Sequence, residues 1–475
     1  MRGTKFWLAL TLGATLFSST IGLAGSATSG PYAVVTGRRD PNLFVIDISK
    51  AIDPANNLTD KAIVSRPRVS PNVPNLDSEV SSSKFIGIHM IPAQALPNNV
   101  ILGPHGNHFY VVDHAGWARP VDVEAGMPHG YAGALTVMDV SKTLNPANSN
   151  TTNAIDAIYR TGGWGPAGVV VTQDDHYAFV ANSEGPNSED GALEIGLINL
   201  KTHELERVLL QAWGKGGAHH QPGHGCDEIK INPGLIPHSS PDINFGCFPN
   251  PNGLAYSPRG GGYIFSANEG TLDVGVINMH KAIAGDPHFE ESRIPVASGP
   301  WAITTSPDGK YVAVTDRDND QTDVPGQFIS IIDVQRAINK DPHAEIRRVL
   351  VGTDKEDGGS HPFGLAFTPN GKYIVTACDL AGNISVVDLK KAVSGDPHPE
   401  IARIPVEAPP NGGPKPRPRG VAITPDSRYA VISGGPPYVK SGGVVWIIDL
   451  QTFKVVGTVT GVGNEPYLAA ITEGK

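Results

Sequence analysis

The chain has 475 residues, of which 18% are charged, and its formal net charge is −10 at pH 7. This acidic balance, without any basic stripe, argues against nucleic acid or an anionic membrane surface as a partner. The 55 glycines and 41 prolines favour a turn-rich all-β protein.

Residues 1–27 are predicted to be a secretion signal peptide. Arg2 and Lys5 provide positive charge, residues 6–17 form an apolar core, and small residues follow at 22–27. No later stretch is long and apolar enough to span a bilayer. We therefore expect a mature protein of residues 28–475 that is periplasmic or secreted.

After this segment, a four-strand unit begins with the strand at 32–36 and recurs along the chain. An apolar strand A leads through a tight turn, such as Pro307-Asp-Gly-Lys310, into strand B. Strand C ends in Asp or Asn, and strand D follows. The strand C endings are Asp47, Asp139, Asn199, Asn278, Asp333, Asp388 and Asp449. A repeat of roughly 40–60 residues built from short strands predicts an all-β, seven-bladed β-propeller.

The two ends of the chain are predicted to form one blade together. The first unit starts with strand B, whereas residues 466–472 resemble a strand A and no strand B follows them. We expect this C-terminal strand to complete the N-terminal blade, which closes the ring and removes open sheet edges. Residues 28–475 are then one domain, and we expect a monomer.

Histidines recur in Asp-Pro-His turns after strand C, at His288, His343 and His398. Because they repeat blade after blade on the rim, we interpret them as turn residues and not as metal ligands.

The repeat resembles that of the YVTN-type β-propellers, a family of bacterial seven-bladed propellers. The resemblance rests on the turns Ser306–Tyr311, Thr368–Tyr373 and Thr424–Tyr429 and on the Ile-Ile-Asp and Val-Val-Asp strand endings, and it covers about residues 31–472. It implies the fold and leaves the function open, because such scaffolds carry lactonases, lyases, haem domains, copper domains and binding modules.

The long insertions all belong to one face of the predicted ring. They are D–A or B–C connections at 67–97, 115–133, 212–250, 352–360 and 407–417. Long loops on one face of a rigid scaffold are where function concentrates. The functional site is therefore expected at the mouth of the central channel.

A metal site is predicted there. Three histidines fall within six residues of the 212–250 loop, and imidazoles at such spacing suit Zn or Cu. Carboxylates at the ends of the B strands converge on the same mouth, where a cation (Ca, Zn or Cu) or an arginine would neutralise them. The proposed ligands are His219, His220, His224, Glu184, Glu269, Asp316 and Asp379. The alternative is a surface loop pinned by a disulfide, whose histidines only form hydrogen bonds.

That disulfide is predicted between Cys226 and Cys247, with Cys378 as a free thiol. For catalysis we expect His361 and His114 as bases and Arg317 as a group that polarises a carbonyl. Further ligand contacts are expected from Arg38, Asp113, Arg419, Trp164 and Trp301, although packing between blades also explains the two tryptophans.

These features favour an exported enzyme that performs hydrolysis or elimination on a small molecule, with or without a metal ion. The alternative is a non-catalytic propeller that binds a ligand, a metal or a protein, and a copper or haem redox propeller is a lesser one. Geometry discriminates between them, because an enzyme needs these histidines and carboxylates to converge.

Overall fold

The computed structural model describes residues 30–38, 40–69, 97–114, 134–184, 192–212, 248–317, 326–354, 359–408, 415–436 and 442–473. These residues form seven antiparallel four-stranded sheets arranged as the blades of a propeller. The predicted fold class and blade count are therefore confirmed. The predicted signal segment 1–27 lies outside the described residues.

The strands are short, and most have six residues. Blade 1 contains β1 (Tyr32–Gly37), β2 (Leu43–Asp47) and β3 (Ile63–Ser65), and blade 2 contains β4 (Pro97–Leu102), β5 (His108–Asp113), β6 (Ala134–Asp139) and β7 (Ile155–Arg160). Blade 3 contains β8 (Trp164–Val171), β9 (Tyr177–Glu184), β10 (Glu194–Asn199) and β11 (Glu204–Leu210), and blade 4 contains β12 (Pro251–Ser257), β13 (Tyr263–Asn268), β14 (Asp273–Asn278) and β15 (Glu290–Pro295).

The second half of the chain repeats the pattern. Blade 5 contains β16 (Pro300–Thr305), β17 (Tyr311–Asp316), β18 (Phe328–Asp333) and β19 (Glu345–Leu350), and blade 6 contains β20 (Pro362–Phe367), β21 (Tyr373–Cys378), β22 (Asn383–Asp388) and β23 (Glu400–Pro405). Blade 7 contains β24 (Pro418–Ile423), β25 (Tyr429–Gly434), β26 (Val444–Asp449) and β27 (Lys454–Thr460), and the last strand is β28 (Pro466–Thr472).

The last strand belongs to the first blade. β28 is antiparallel to β1, with Tyr32 opposite Thr472 and Val34 opposite Ala470, so it occupies the innermost position of the β28-β1-β2-β3 sheet.

Short helices replace plain turns after five of the C strands. They are α1 (Ile48–Ala51), α2 (Val140–Leu144), α3 (Met279–Ala284), α4 (Val334–Ile338) and α5 (Leu389–Val393). Two 3₁₀ turns, Pro54–Asn56 and Pro146–Asn148, follow α1 and α2, and a third, Arg259–Gly261, lies between β12 and β13. The strand C ending caps each α-helix: the Asp333 side chain, for example, accepts a hydrogen bond from the backbone N–H of Arg336. The recurrent Asp or Asn is thus a helix N-cap as well as a strand ending.

The Asp-Pro-His turns form as predicted. The backbone N–H groups of His288, His343 and His398 each donate to the Asp side chain two residues earlier. No helix among the described residues is long and apolar enough to cross a membrane.

The core lies between the blades. In the described part of the chain, each cluster of buried apolar side chains joins two neighbouring blades, as in the cluster of Phe265, Val276, Val314 and Ile332 from blades 4 and 5. The faces of each sheet are therefore covered by its neighbours, and the inner strands, which follow a Pro-x-Gly pattern in four blades, line the channel.

Those glycines allow the inner strands to approach closely. A Cβ added to Gly364 would lie 2.4 Å from the Arg419 carbonyl oxygen of the next blade, and one added to Gly420 would lie 2.3 Å from the Tyr467 carbonyl oxygen. Gly168 and Gly253 stand in the same relation to Asn252 and Trp301. In each of these four strands, the close approach to the next blade holds the residue between the Pro and the Gly beside the channel.

Candidate functional site

Each blade presents three positions at the mouth of the channel. They are the residue before the first Pro of the inner strand, the residue after that Pro, and the residue that follows the strand B partner of that Pro. The first and third are joined in five blades by a backbone hydrogen bond, such as the 3.0 Å bond from the Asp379 N–H to the His361 carbonyl. The side chains that these positions carry differ from blade to blade, and they make the candidate site.

Asp379 is the centre of a dense polar cluster in blades 6 and 7. Its Oδ2 lies 3.2 Å from Arg417 Nη1, 3.7 Å from Arg419 Nε and 3.6 Å from His361 Nδ1. Only 3% of the Asp379 side chain is exposed. One carboxylate thus faces two guanidinium groups and an imidazole away from bulk water.

Two further ion pairs extend this cluster around the ring. Arg419 Nη1 lies 3.1 Å from Glu465 Oε1, and Arg317 Nη2 lies 2.9 Å from Glu269 Oε1. Glu269 also accepts a 2.7 Å hydrogen bond from Asn252 Nδ2. The described polar groups thus form one network in blades 6, 7 and 1 and a second one in blades 4 and 5.

Aromatic rings form the wall beside these charges. The ring of Phe363 lies 5.6 Å from that of Trp301 and meets Tyr467 edge to face at 5.0 Å. Arg317 stacks 3.9 Å above Trp301, and Arg38 lies 5.1 Å from the Tyr467 ring. These contacts hold the guanidinium groups in place and give the site an apolar side.

The electrostatics of the cluster keep His361 neutral. Burial, reinforced by the positive charges of Arg317, Arg417 and Arg419, lowers the pKa of His361 to about 3. Burial raises the pKa of Asp379, and the same three arginines oppose that rise. Among the described residues, the mouth carries four arginines (Arg38, Arg317, Arg417 and Arg419) against three carboxylates (Glu269, Asp379 and Glu465), an excess of one formal positive charge on a protein of net charge −10.

Several buried polar atoms of the site lack a hydrogen-bond partner among the described residues. They are His361 Nδ1, Asp379 Oδ1, Arg317 Nε and Asn252 Oδ1. Burying such an atom without a partner costs about 1–3 kcal/mol, so native proteins rarely gather several in one place. Such atoms are able to form hydrogen bonds with a ligand at the mouth.

The backbone that carries these side chains is strained. His361, Arg417, Glu465 and Asn250 all have φ between 47° and 56°, in the left-handed region, and each precedes a proline. This conformation costs roughly 1–2 kcal/mol for a residue other than glycine. The equivalent positions of blades 3 and 5 are Gly165 and Gly299, which adopt positive φ without that cost.

The channel below the mouth encloses about 170 Å³. Residues from all seven inner strands line it, and Trp301, Tyr467, Asn252 and Ala167 form its upper part. Three of these lining residues, Trp301, Tyr467 and Asn252, also contact charged residues of the mouth.

The structure brings together some of the predicted site residues. His361, Arg317, Asp379, Glu269, Arg419, Trp301 and Arg38 lie in the networks just described. His114 does not join them: it is in blade 2, across the ring from blade 6, and its Nδ1 lies 3.3 Å from the Pro166 carbonyl oxygen.

Asp113 and Asp316 take a different position, one residue earlier than Asp379 in the register of their blades. Both are fully buried, Asp113 beside Thr136 at 2.8 Å and Asp316 beside Ser330 at 2.8 Å, in each case a strand C residue of the same sheet. Burial raises the pKa of Asp113 to about 8. Their carboxyl groups face the neighbouring strand of the sheet and are not part of the mouth cluster.

The remaining candidates are not described. His219, His220, His224, Cys226 and Cys247 lie outside the described residues, as do the side chains of Trp164 and Glu184. Cys378 is an unpaired, buried thiol, as predicted. Among the residues that the structure describes, no group of three or more His, Cys, Asp or Glu side chains is placed to hold a metal ion, and Glu269 and Asp379 are each paired with arginine.

Three residues of the site did not follow from the sequence reasoning. Arg417, Asn252 and Tyr467 each stand directly before or after the first Pro of an inner strand. Aligning the seven inner-strand prolines, Pro97, Pro166, Pro251, Pro300, Pro362, Pro418 and Pro466, would have identified all three.

Comparisons with known proteins support the fold. No family model and no curated protein sequence matches the chain. Among solved structures, the periplasmic gluconolactonase of Pseudomonas aeruginosa is similar with a TM-score of 0.56 and 14% identity, over 93% of this chain and 99% of the other. Proteins assigned as 6-phosphogluconolactonases from Bacteroides uniformis and Bacteroides fragilis have TM-scores of 0.54 and 0.53, each at 13% identity over 94% of this chain and 100% and 98% of theirs. At such identity the likeness concerns the fold, and the YVTN resemblance remains one of sequence repeats.

Proposed function

We propose that the protein is an exported hydrolase that cleaves an ester-type bond, such as that of a lactone, in a small anionic molecule at the mouth of the channel. The observation that carries the proposal is the buried His361–Asp379 pair surrounded by three arginines. Several solved propellers of the same fold have names that describe lactone hydrolysis, which makes this chemistry the first to test.

In this proposal the arginines bind and polarise the substrate. The excess positive charge attracts an anion, and guanidinium groups suit carboxylate or phosphate because they offer paired N–H donors. Arg317, fixed between Trp301 and Glu269, and Arg417 are placed to stabilise negative charge that develops on a carbonyl oxygen.

His361 acts as the general base. Its Nδ1–H faces Asp379, and Nε2 accepts a proton from a water molecule as that water attacks the carbonyl carbon. The C–O bond to the leaving group then breaks, and His361 returns the proton to the departing alkoxide oxygen. Water and ester thus give acid and alcohol, and the enzyme is regenerated.

Substrate binding is expected to make His361 a better base. The arginines lower the pKa of His361 in the free protein, and a bound anion offsets their charge. The 3.6 Å separation of His361 Nδ1 and Asp379 Oδ2 is longer than a hydrogen bond. Catalytic hydrogen bonds often shorten when substrate binds, whereas a site that keeps this separation would fit a non-catalytic binding propeller better.

The test is hydrolysis of D-glucono-1,5-lactone and of its 6-phosphate, with the spontaneous rate subtracted. His361→Gln should lower kcat by about 10²–10⁴-fold, the usual contribution of a general base. His288→Gln, in an exposed turn of the opposite face, should leave kcat unchanged. If the wild-type protein hydrolyses neither lactone above background, or if His361→Gln hydrolyses as fast as wild type, the hydrolase proposal is wrong.

Export is part of the proposal. It rests on the predicted signal segment 1–27 and on the periplasmic gluconolactonase that shares the fold. N-terminal sequencing of protein from the periplasmic fraction should begin near residue 28, and a chain that keeps Met1 in the cytoplasm would contradict it.

A further inference from the structure

Among the side chains that the structure describes at the three mouth positions, those of blade 3 are the smallest. Its three positions are Gly165, Ala167 and Ser183, which we call the blade-3 gap. The same positions carry His361, Phe363 and Asp379 in blade 6 and two arginines in blade 7. In the described part of the chain, the ring of large side chains at these positions is therefore interrupted at blade 3.

The gap opens onto the space inside the channel. Ala167 and Val169 line the 170 Å³ cavity on this side, and Trp301 and Tyr467 line it on the side of the polar cluster. A cavity of about 150 Å³ holds a group of the size of benzene. A group of that size fits between Trp301 and Tyr467 on one side of the cavity and Ala167 and Val169 of blade 3 on the other.

Two amide side chains flank the gap. Asn98 of blade 2 and Asn252 of blade 4 line the same cavity, and each is only 2% exposed. The Oδ1 atoms of both lack a hydrogen-bond partner among the residues that the structure describes. Asn252 Nδ2 donates to Glu269 Oε2, and a carboxylate only accepts, so the amide oxygen of Asn252 must be the atom left over.

We propose that the ligand of the mouth extends over the blade-3 gap, and that Asn98 and Asn252 determine specificity by accepting hydrogen bonds from hydroxyl or N–H groups on that part of the ligand. This inference rests on the proposed function, which places the reacting group beside His361. An apolar tail would leave both amide oxygens buried and unpaired, so it should be rejected.

The experiment compares two six-carbon monocarboxylates that differ in their hydroxyl groups, D-gluconate and hexanoate. Binding of each to the purified full-length protein is measured by isothermal titration calorimetry. Wild type should bind gluconate at least about tenfold more tightly than hexanoate, which corresponds to one unpaired hydrogen bond. Asn252→Leu should remove the preference by weakening gluconate binding, and Asn98→Leu should reduce it.

Two further variants complete the design. Ala167→Leu removes no hydrogen bond but fills the gap, and it should weaken gluconate binding even if an asparagine variant fails to fold. Gln335→Leu, which removes an exposed amide from α4, should bind both acids as wild type does.

The inference is overturned if wild type shows no preference for gluconate, or if Asn252→Leu, Asn98→Leu and Ala167→Leu all keep the wild-type preference and affinity. Because binding is measured without turnover, the proposed function can fail separately. Lost lactone hydrolysis with retained gluconate preference counts against the hydrolase, whereas hydrolysis without any preference counts against this inference alone.

Discussion

Blades 6 and 3 have the same four-stranded backbone but present opposite chemistry at the mouth. Blade 6 places His361, Phe363 and Asp379 there, on a backbone strained at His361, whereas blade 3 places Gly165, Ala167 and Ser183. The comparison shows that the scaffold defines three positions per blade and that the chemistry at the mouth depends on which residues occupy them. Among the described residues, one half of the ring carries charged and aromatic side chains at the mouth, and the other carries small side chains and amide groups.

Both blades keep their positions only in a closed ring, and opening that ring should have the largest effect on the free energy of unfolding. Deleting residues 466–475 removes β28, including the buried Tyr467 and Ala470, and exposes the edge of β1. We expect the free energy of unfolding to fall by more than about 5 kcal/mol, or folding to be lost. Thermal unfolding followed by circular dichroism measures this. Deleting only residues 473–475 should change little, and a ten-residue truncation as stable as wild type would contradict the role of the closing strand.

The sequence was sufficient to predict the ring because turn chemistry and strand patterning are local. The Pro-Asp-Gly turns and the strand C endings from Asp47 to Asp449 are each explained by a few neighbouring residues. The same locality predicted the Asp-Pro-His turns, which form at His288, His343 and His398.

The site was harder to predict because it depends on register and on contacts between blades. Asp113, Asp316 and Asp379 all stand at the end of a strand B, but Asp379 is one residue further along, and a one-residue shift turns a side chain to the other face. The pairing of Asp379 with Arg417 and Arg419 also needs the close approach of blades 6 and 7 at Gly364. No local pattern contains that information.

This register difference leads to a prediction about stability. The strand B residue that pairs with the inner-strand Pro is Asp113 in blade 2 but Asn182 and Asn268 in blades 3 and 4. Because burial raises the pKa of Asp113 from 3.8 to about 8, folding favours the protonated form, and the wild type loses stability as pH rises from about 4 to 8.

Asp113→Asn removes this titration. The variant should exceed wild type by a few kcal/mol in free energy of unfolding at pH 8, from about 1.4 kcal/mol per pH unit, and by little at pH 4. Urea unfolding at both values measures it. A variant less stable than wild type at pH 8 would show that Asp113 is charged and paired.

A smaller effect should reveal the strain that distinguishes blade 6 from blade 3. His361→Gly and His361→Ala both remove the imidazole, but only glycine adopts φ near 56° without strain. The glycine variant should therefore be more stable than the alanine variant by about 1 kcal/mol, measured by denaturant unfolding. At His288, which has no positive φ, the order should reverse because glycine adds flexibility to the unfolded chain. The same order at both positions would count against the strain.

The central claim is that the arginine-rich half of the mouth binds the ligand, and titration of D-gluconate at low ionic strength tests it most directly. Arg417→Gln should weaken binding at least about tenfold, because it removes a charge-assisted contact beside Asp379. Arg336→Gln, on α4 of the opposite face, should bind as wild type does. Unchanged binding by Arg417→Gln together with weakened binding by Arg336→Gln would place the ligand site on the other face and contradict the account.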